Sequence, residues 1–493
     1  MTATFVAPDN PGVDVRFTGE KTLSPGAAAA ATIGIPFTSD WGPFGPDEGT
    51  IRMNSFGEYD ANFGNSKTGG RRAVLGAFVG SGAAGNPGAG AVIGYRMGAA
   101  TAAKSKLVVK NTKEAPENAL ELLGFYKGAR GNRISAVIEA DPANSATKDR
   151  LRVLFDGLTV EKYSYLKTDV AALAAAVNKR SQYVSAVSLK TGLALAHTAG
   201  TSLAGGANGD TLTAEEWLEA LAAFEYEPIS VFAPFDLSDE AIQVSVVAWE
   251  QTQADQMKPI SVVLGGALGE DLDEAITRTE AYEDEHVVSL GAGTFHDELI
   301  GEDLSTAQLV PRVAGALAGL GEEKSLTNLP FVGLSLVGEP AVPTDQLAVA
   351  AEAGITVFRR TSSEQAELKV SKGVTAYTAD TDEKPRDIWG DPRQIRVMDL
   401  FIREIVEWGE TYIVGPTRVT ESTMKAVKAK GEGMINERRD RGLILPGATD
   451  SERPYFNVLE PASVGAPEDS IPFEFGWKFA RTTNYMIGRG KVL

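Results

Sequence analysis

The chain has 493 residues, a formal charge of −19, three histidines and no cysteine. That length implies about two to four domains with ample core. The acidic balance disfavours a nucleic-acid partner, which needs a basic face, and the lack of cysteine excludes disulfides, thiolate metal sites and sulfur redox chemistry. The opening MTATFVAPDNPG has neither a basic start nor an apolar run, and no later stretch supplies the roughly 18 apolar residues of a membrane span. The expectation is a soluble protein without an export signal or direct membrane binding.

In chain order, Val13, Val15 and Phe17 alternate with polar positions and read as a short strand at the terminus, an arm. Residues 22 to 40 form a small-residue strand region, followed by the turn-rich WGPFGPDEG and by NSFGEYDANFG, a short helix with its stop. Next comes RRAVLGAFVGSGAAGNPGAGAVIGYRM, where Gly80, Gly82 and Gly85 spell G-x-G-x-x-G after an apolar run, as in a dinucleotide fold. Two features oppose that use. Asn86-Pro87-Gly88 would break the helix whose N-terminus must face the pyrophosphate, and no Asp or Glu occurs from Ala61 to Lys113 to hold a ribose.

From about residue 104 the pattern shifts to strands, KSKLVVK, NRISAVIEA, DRLRVLFDG and LTVEKYSYL, with one alanine-rich helix from Thr168 to Arg180. This predicts an inserted, mostly β domain over 104–201, ending at TSLAGGANGDT, a flexible glycine-rich link. Beyond it helices and strands alternate: helix 213–225, PISVFAP, helix 238–257, ISVVLG, helix 270–284 and HVVSLGAG. Helices at 306–320 and 344–353 and the strand ITVFRR complete the domain. Such alternation predicts βαβ units and a largely parallel sheet over 202–374.

An α/β domain is where enzymes keep their sites, yet the polar inventory is thin. His286 and His296 lie near Glu283, Asp284, Glu285, Asp297 and Glu298 without a second histidine at helical spacing, so they read as a solvated acidic loop. His197 has no acidic neighbour in sequence. Asp271 and Asp273 resemble the start of a calcium loop but lack its glycine and final glutamate, so they read as a helix N-terminus. No Walker A lysine or G-x-S-x-G elbow occurs. Catalytic, cofactor and metal sites are therefore not expected.

The last 119 residues, 375–493, carry the most informative pattern. Asp391 caps a helix opened by Pro392, with Gly409 as its expected stop. Ile395, Met398, Ile402, Ile405 and Val406 recur at helical spacing, while Arg396, Asp399, Arg403 and Glu407 form a stripe expected to meet solvent or a neighbour. A second helix over Ser422 to Arg441 places Met424, Val427, Gly431, Met434 and Ile435 on one arc, with Lys425, Lys428 and Arg439 as a basic flank and Gly442 as stop. Phe473, Phe475, Trp477 and Phe479 then alternate as a strand with one aromatic face and no obvious partner strand nearby. Residues 383 to 493 hold 17 basic and 17 acidic side chains, so the whole −19 belongs to residues 1 to 382.

The order of these pieces resembles contractile phage tail sheath proteins over nearly the whole chain. The residues that carry it are the Pro11-Gly12-Val13 strand start, SDWGPFGPDEGT, NSFGEYDANFG, GARGNRI near 130, LAGGANGD near 205, and AGITVFRR before IRVMDLFIREI. The look is nearest to sheaths of Gram-positive phages and defective prophages. The resemblance implies an α/β multidomain fold with extended terminal β arms and an N-terminal arm plus first core segment over 1–103. It implies a structural, non-enzymatic subunit without cofactors, assembled as stacked six-fold rings around a tail tube and contracting to drive the tube through a host envelope. Its expected partners are further copies of itself, the tube protein, and baseplate and tail-terminator proteins. The arm strands (Val13, Val15, Phe17; Phe473, Phe475, Trp477, Phe479) would link subunits, and Lys425, Lys428 and Arg439 would face the tube. A bacteriocin-like or injection particle is the alternative setting, and a dinucleotide-binding α/β enzyme using the Gly80 loop the alternative class.

Overall fold

A computed structural model describes residues 32–321, 324–338, 342–360, 368–381, 384–447, 449 and 453–479. The expected arm at Val13, Val15 and Phe17 lies outside them. The described chain forms two compact units. One comprises residues up to Ile35, Ala73–Ile93 and the chain from Glu225 onward; the other comprises Pro36–Arg72 and Gly94–Phe224.

In the first unit, strands Ile355–Thr356, Val287–Leu290, Ser261–Gly265 and Val231–Phe232 and the first half of strand Thr32–Thr38, up to Ile35, lie side by side in that order. Every one of these pairings is parallel. Ser261–Gly265 and Val287–Leu290 are buried along their whole length, as apolar runs of a sheet covered on both faces must be. Helices Glu240–Asp255, Leu272–Glu280 and Thr306–Gly319 alternate with the strands, as the pattern predicts. Asp271 closes a full capping box with Glu274, which accounts for the Asp271/Asp273 pair as a helix N-terminus.

The Gly80 loop follows helix Gly69–Val79 and is packed against Thr306–Gly319. Gly80 has φ +57°, and a Cβ there would lie 2.8 Å from Gly88 Cα and 3.0 Å from Ala316 N. Arg312 Nε donates to Gly80 O at 3.0 Å and Asn86 Nδ2 to Ala316 O at 3.3 Å. The hollow that a pyrophosphate would need is filled by the chain's own helix.

The second unit holds an antiparallel sheet of Thr198–Ser202, Ile134–Ala140, Lys148–Phe155 and Leu158–Leu166, and another of Lys104–Lys110, Asn118–Lys127 and Val184–Ser188. Helix Val170–Arg180 buries Leu173 and Val177 in their shared core. Asp156 and Gly157 both have positive φ, the two-residue turn that matches strand twist. Arg96 is buried and donates to Ser39 O, Gly42 O and Lys127 O, while burial draws its pKa down to about 10.

Segment 104–201 thus sits within a larger compact unit that includes Pro36–Arg72 and continues to Phe224. The link after it is pinned where a flexible stretch was expected. Bridges join Ala103 to Ala207 and Lys106 to Ala204, and Asn132 exchanges two hydrogen bonds with Gly206. His197, without an acidic neighbour in sequence, has its Nε2 3.3 Å from Asp149 Oδ1.

Candidate functional site

The C-terminal part of the first unit is built from two helices and a hairpin. Helix Pro392–Tyr412 begins where Asp391 accepts from Arg393 N at 2.9 Å. It does not stop at Gly409. That residue is buried inside the last turn, and its carbonyl accepts from Ile413 N. Ile395, Met398, Phe401 and Ile405 form the apolar face.

The charged stripe is the principal correction to the sequence reading of this helix. Arg396 and Asp399 are buried: Arg396 Nη2 donates to Leu320 O at 2.8 Å, and Asp399 Oδ1 lies 3.2 Å from His286 Nε2. Arg403 donates to Pro259 O. This face meets the α/β part of its own unit; of the four, Glu407 is exposed and Arg403 half-buried. Two opposite faces of one helix are therefore covered, one by apolar burial and one by carbonyls and an imidazole.

Helix Glu421–Asp440 is capped by Thr420, which accepts from Thr423 N at 3.2 Å. Val427, Gly431, Met434 and Ile435 are buried, and Gly442 at φ +71° ends it. Glu404 of the first helix joins the two: Lys430 Nζ lies 2.8 Å from Oε1 and Arg438 Nη1 3.0 Å from Oε2. Burial opposes the charge on Glu404, but the Lys430 hydrogen bond and the nearby Arg438 hold its carboxyl below the ordinary value. Sequence periodicity did not single out Glu404, although the glutamate stands one position beyond the charged stripe.

Lys425, Lys428 and Arg439 are exposed on this helix, with side-chain exposures of 74, 47 and 40%. Each also has a carboxylate of its own helix nearby: Glu421 at 2.5 Å, Glu432 at 3.8 Å and Asp440 at 3.0 Å. The flank is a row of solvated ion pairs, not bare positive charge.

The aromatic strand has a partner, contrary to expectation. Phe473–Gly476 pairs antiparallel with Tyr455–Val458, only fifteen residues earlier at the Val458–Phe473 end. Its aromatic face turns inward: Phe475 and Trp477 each lie 4.9 Å from the Phe401 ring, and Phe473 stacks on Phe456 at 5.0 Å. Phe479 is buried and bridges to Ile444. Among the described residues the hairpin is a two-stranded sheet with no strand on either outer edge.

His286 is not in a solvated loop. Its ring lies among Glu250, Asp284 and Asp399. Burial favours the neutral ring, yet these carboxylates outweigh it and raise its pKa well above the ordinary value. His296 does stay exposed, its Nδ1 2.7 Å from Asp303 Oδ1.

The segment following this geometry in comparison is the α/β part. Residues 210–376 match the family model of the phage tail sheath protein central domain. Over most of its length the chain shares its fold with sheath tail proteins. The sheath tail protein of Desulfitobacterium hafniense superposes with TM-score 0.69 at 22% identity, covering 96% of this chain and 100% of that one. The sheath tail protein of Listeria innocua gives TM-score 0.67 at 18% identity, covering 92% and 96%. The helical sheath of the anti-feeding prophage in its contracted state gives 0.53 at 15% identity, covering 98% and 99%. No curated protein sequence matches. The mixed α/β architecture is shared with these sheath proteins.

Proposed function

We propose that this chain is the structural subunit of a contractile tail sheath. It polymerises as stacked six-fold rings around a tail tube, and contraction of the lattice drives the tube through the host envelope. The match of residues 210–376 to the sheath central domain, within a fold shared over most of the chain with sheath proteins, carries this reading. In that role work comes from contacts between subunits, and neither fuel nor cofactor is needed. Physically, the extended lattice is a kinetic trap separated by a barrier from a contracted one with better contacts. The same role serves a phage tail or an injection particle. The finished protein would sit in the tail sheath, having been assembled in the host cytoplasm beside its tube, baseplate and terminator partners.

Two surfaces suit assembly. The hairpin Tyr455–Val458/Phe473–Gly476 keeps its aromatic face for its own core but offers outer edges to a strand from another copy, such as the arm at Val13 to Phe17. Lys425, Lys428 and Arg439 offer a solvated flank to the tube. Negative-stain microscopy of the purified protein tests the reading: ribbed cylinders are expected from the full chain, and folded but unpolymerised subunits from a chain lacking residues 1–20. Discrete particles from the full chain under all assembly conditions would refute the function, and normal cylinders from the truncation would refute the arm.

A further inference from the structure

Three side chains from two separate elements converge inside the first unit. Glu250 comes from helix Glu240–Asp255, while Asp284 and His286 come from the segment just before strand Val287–Leu290. His286 Nδ1 lies 3.4 Å from Glu250 Oε1 and 3.6 Å from Asp284 Oδ1. The three donor atoms all fall within 4.8 Å of one another. Glu250 is fully buried, and its Oε2 has no hydrogen-bond partner. We propose that Glu250, Asp284 and His286 form a divalent-cation site suited to zinc.

Three observations carry this. Zinc bonds of about 2.0–2.2 Å in a tetrahedron separate neighbouring donors by roughly 3.3–3.6 Å, the spacing found here between imidazole and carboxylates. On the far side of the ring, Nε2 is 3.2 Å from Asp399 Oδ1. A carboxylate in that position takes the Nε2–H and leaves the Nδ1 lone pair pointing at Glu250 and Asp284, the carboxylate–histidine–metal arrangement. Asp284 is itself held, with Oδ1 accepting from His286 N at 2.8 Å and Oδ2 from Gln251 Nε2 at 2.9 Å.

Glu250, Asp284 and Asp399 thus place three carboxyl groups around one imidazole in a buried region, an oxygen and nitrogen donor set of the kind zinc accepts. The donors come from distant positions, which is why no short metal motif marks them. Bound zinc would tie Glu240–Asp255 to the sheet and, through Asp399, orient helix Pro392–Tyr412.

The test uses the full chain, stripped with chelator, dialysed against zinc near neutral pH, and read by metal content and thermal unfolding. The expectation is about one zinc per chain and an unfolding midpoint raised by about 2–4 °C at a hundredfold excess over Kd. Glu250→Gln and Asp284→Asn should each weaken binding more than tenfold. Asp399→Asn leaves all three donors in place and should weaken binding about tenfold, so it serves if the ligand variants do not fold. Wild-type protein that takes up no zinc and shows no shift would overturn the proposal, and so would undiminished binding by these variants. Neither result depends on whether the chain polymerises.

Discussion

Gly431 and Gly433 stand two residues apart in helix Glu421–Asp440, and alanine should act on them in opposite directions. Neither has a positive φ, so intrinsic helix propensity favours alanine at both by about 0.5–1 kcal/mol. At Gly431, however, a Cβ would lie 2.4–2.5 Å from Cγ, Cδ1 and Cδ2 of Phe456. Carbon atoms in contact prefer about 3.5–4.0 Å, so the ring would have to retreat by roughly 1 Å. It has little freedom to do so, being 1% exposed and stacked on Phe473. Overpacking of this kind costs about 1–3 kcal/mol, which exceeds the propensity gain, so Gly431→Ala should destabilise by about 1–2 kcal/mol. At Gly433 nothing lies within 4 Å, so Gly433→Ala should stabilise by about 0.5–1 kcal/mol. Urea unfolding of unassembled subunits, followed by far-UV circular dichroism, measures both. If Gly431→Ala gained as much stability as Gly433→Ala, the helix would not pack on the hairpin as described.

Reversing Lys425, Lys428 and Arg439 together to glutamate should cost less than about 1 kcal/mol per ion pair in the subunit, because the pairs are exposed. It should abolish tube-dependent extended sheath in reconstitution while tube-free contracted sheath still forms; normal extended tails from the variant would leave the tube contact without support. Glu404→Gln should weaken the joint between the two C-terminal helices, lowering the urea midpoint at pH 7. Because the Glu404 carboxyl titrates below its unfolded value, its contribution is present above about pH 4.3 and fades as the pH falls through the folded pKa. The gap between wild type and variant should therefore narrow as the solution is acidified below about pH 4.3, and a gap that does not narrow would contradict the pairing with Lys430 and Arg438.

Local rules read this chain well wherever a single segment decides the outcome. Asp391 and Pro392 open their helix, Gly442 closes the next, and Gly64 ends Phe56–Phe63, because caps and left-handed glycines act within a turn. The alternation of apolar strands and helices after residue 225 became a parallel sheet for the same reason. What escaped was set by residues far away. The stripe Arg396, Asp399 and Arg403 looks solvent-facing by periodicity, but its partners Leu320, His286 and Pro259 lie 76 to 144 residues away. His286 looked like part of an acidic loop until Asp399 and Glu250 closed around it. Phe473 to Trp477 lacked a visible partner because Tyr455–Val458 is short and follows a proline, weak signals for a strand. Gly409 was expected to end a helix, but burial in the last turn kept it helical.

The parallel pairing of Thr32–Thr38 with Val231–Phe232 has a consequence for how the protein is made. Ser230 hydrogen-bonds to Thr32 O across 198 residues of chain. A ribosome adding about 5–20 residues per second needs roughly 10–40 s to travel that distance. For that time Ile33, Ile35 and Phe37, all fully buried in the finished molecule, have left the ribosome without the strand that will cover one of their edges. An apolar edge left waiting invites pairing with nascent copies on neighbouring ribosomes. In a polysome producing hundreds of identical chains, the interval between those two strands is when premature association is most dangerous, and slowing translation there should lower the yield of soluble subunit.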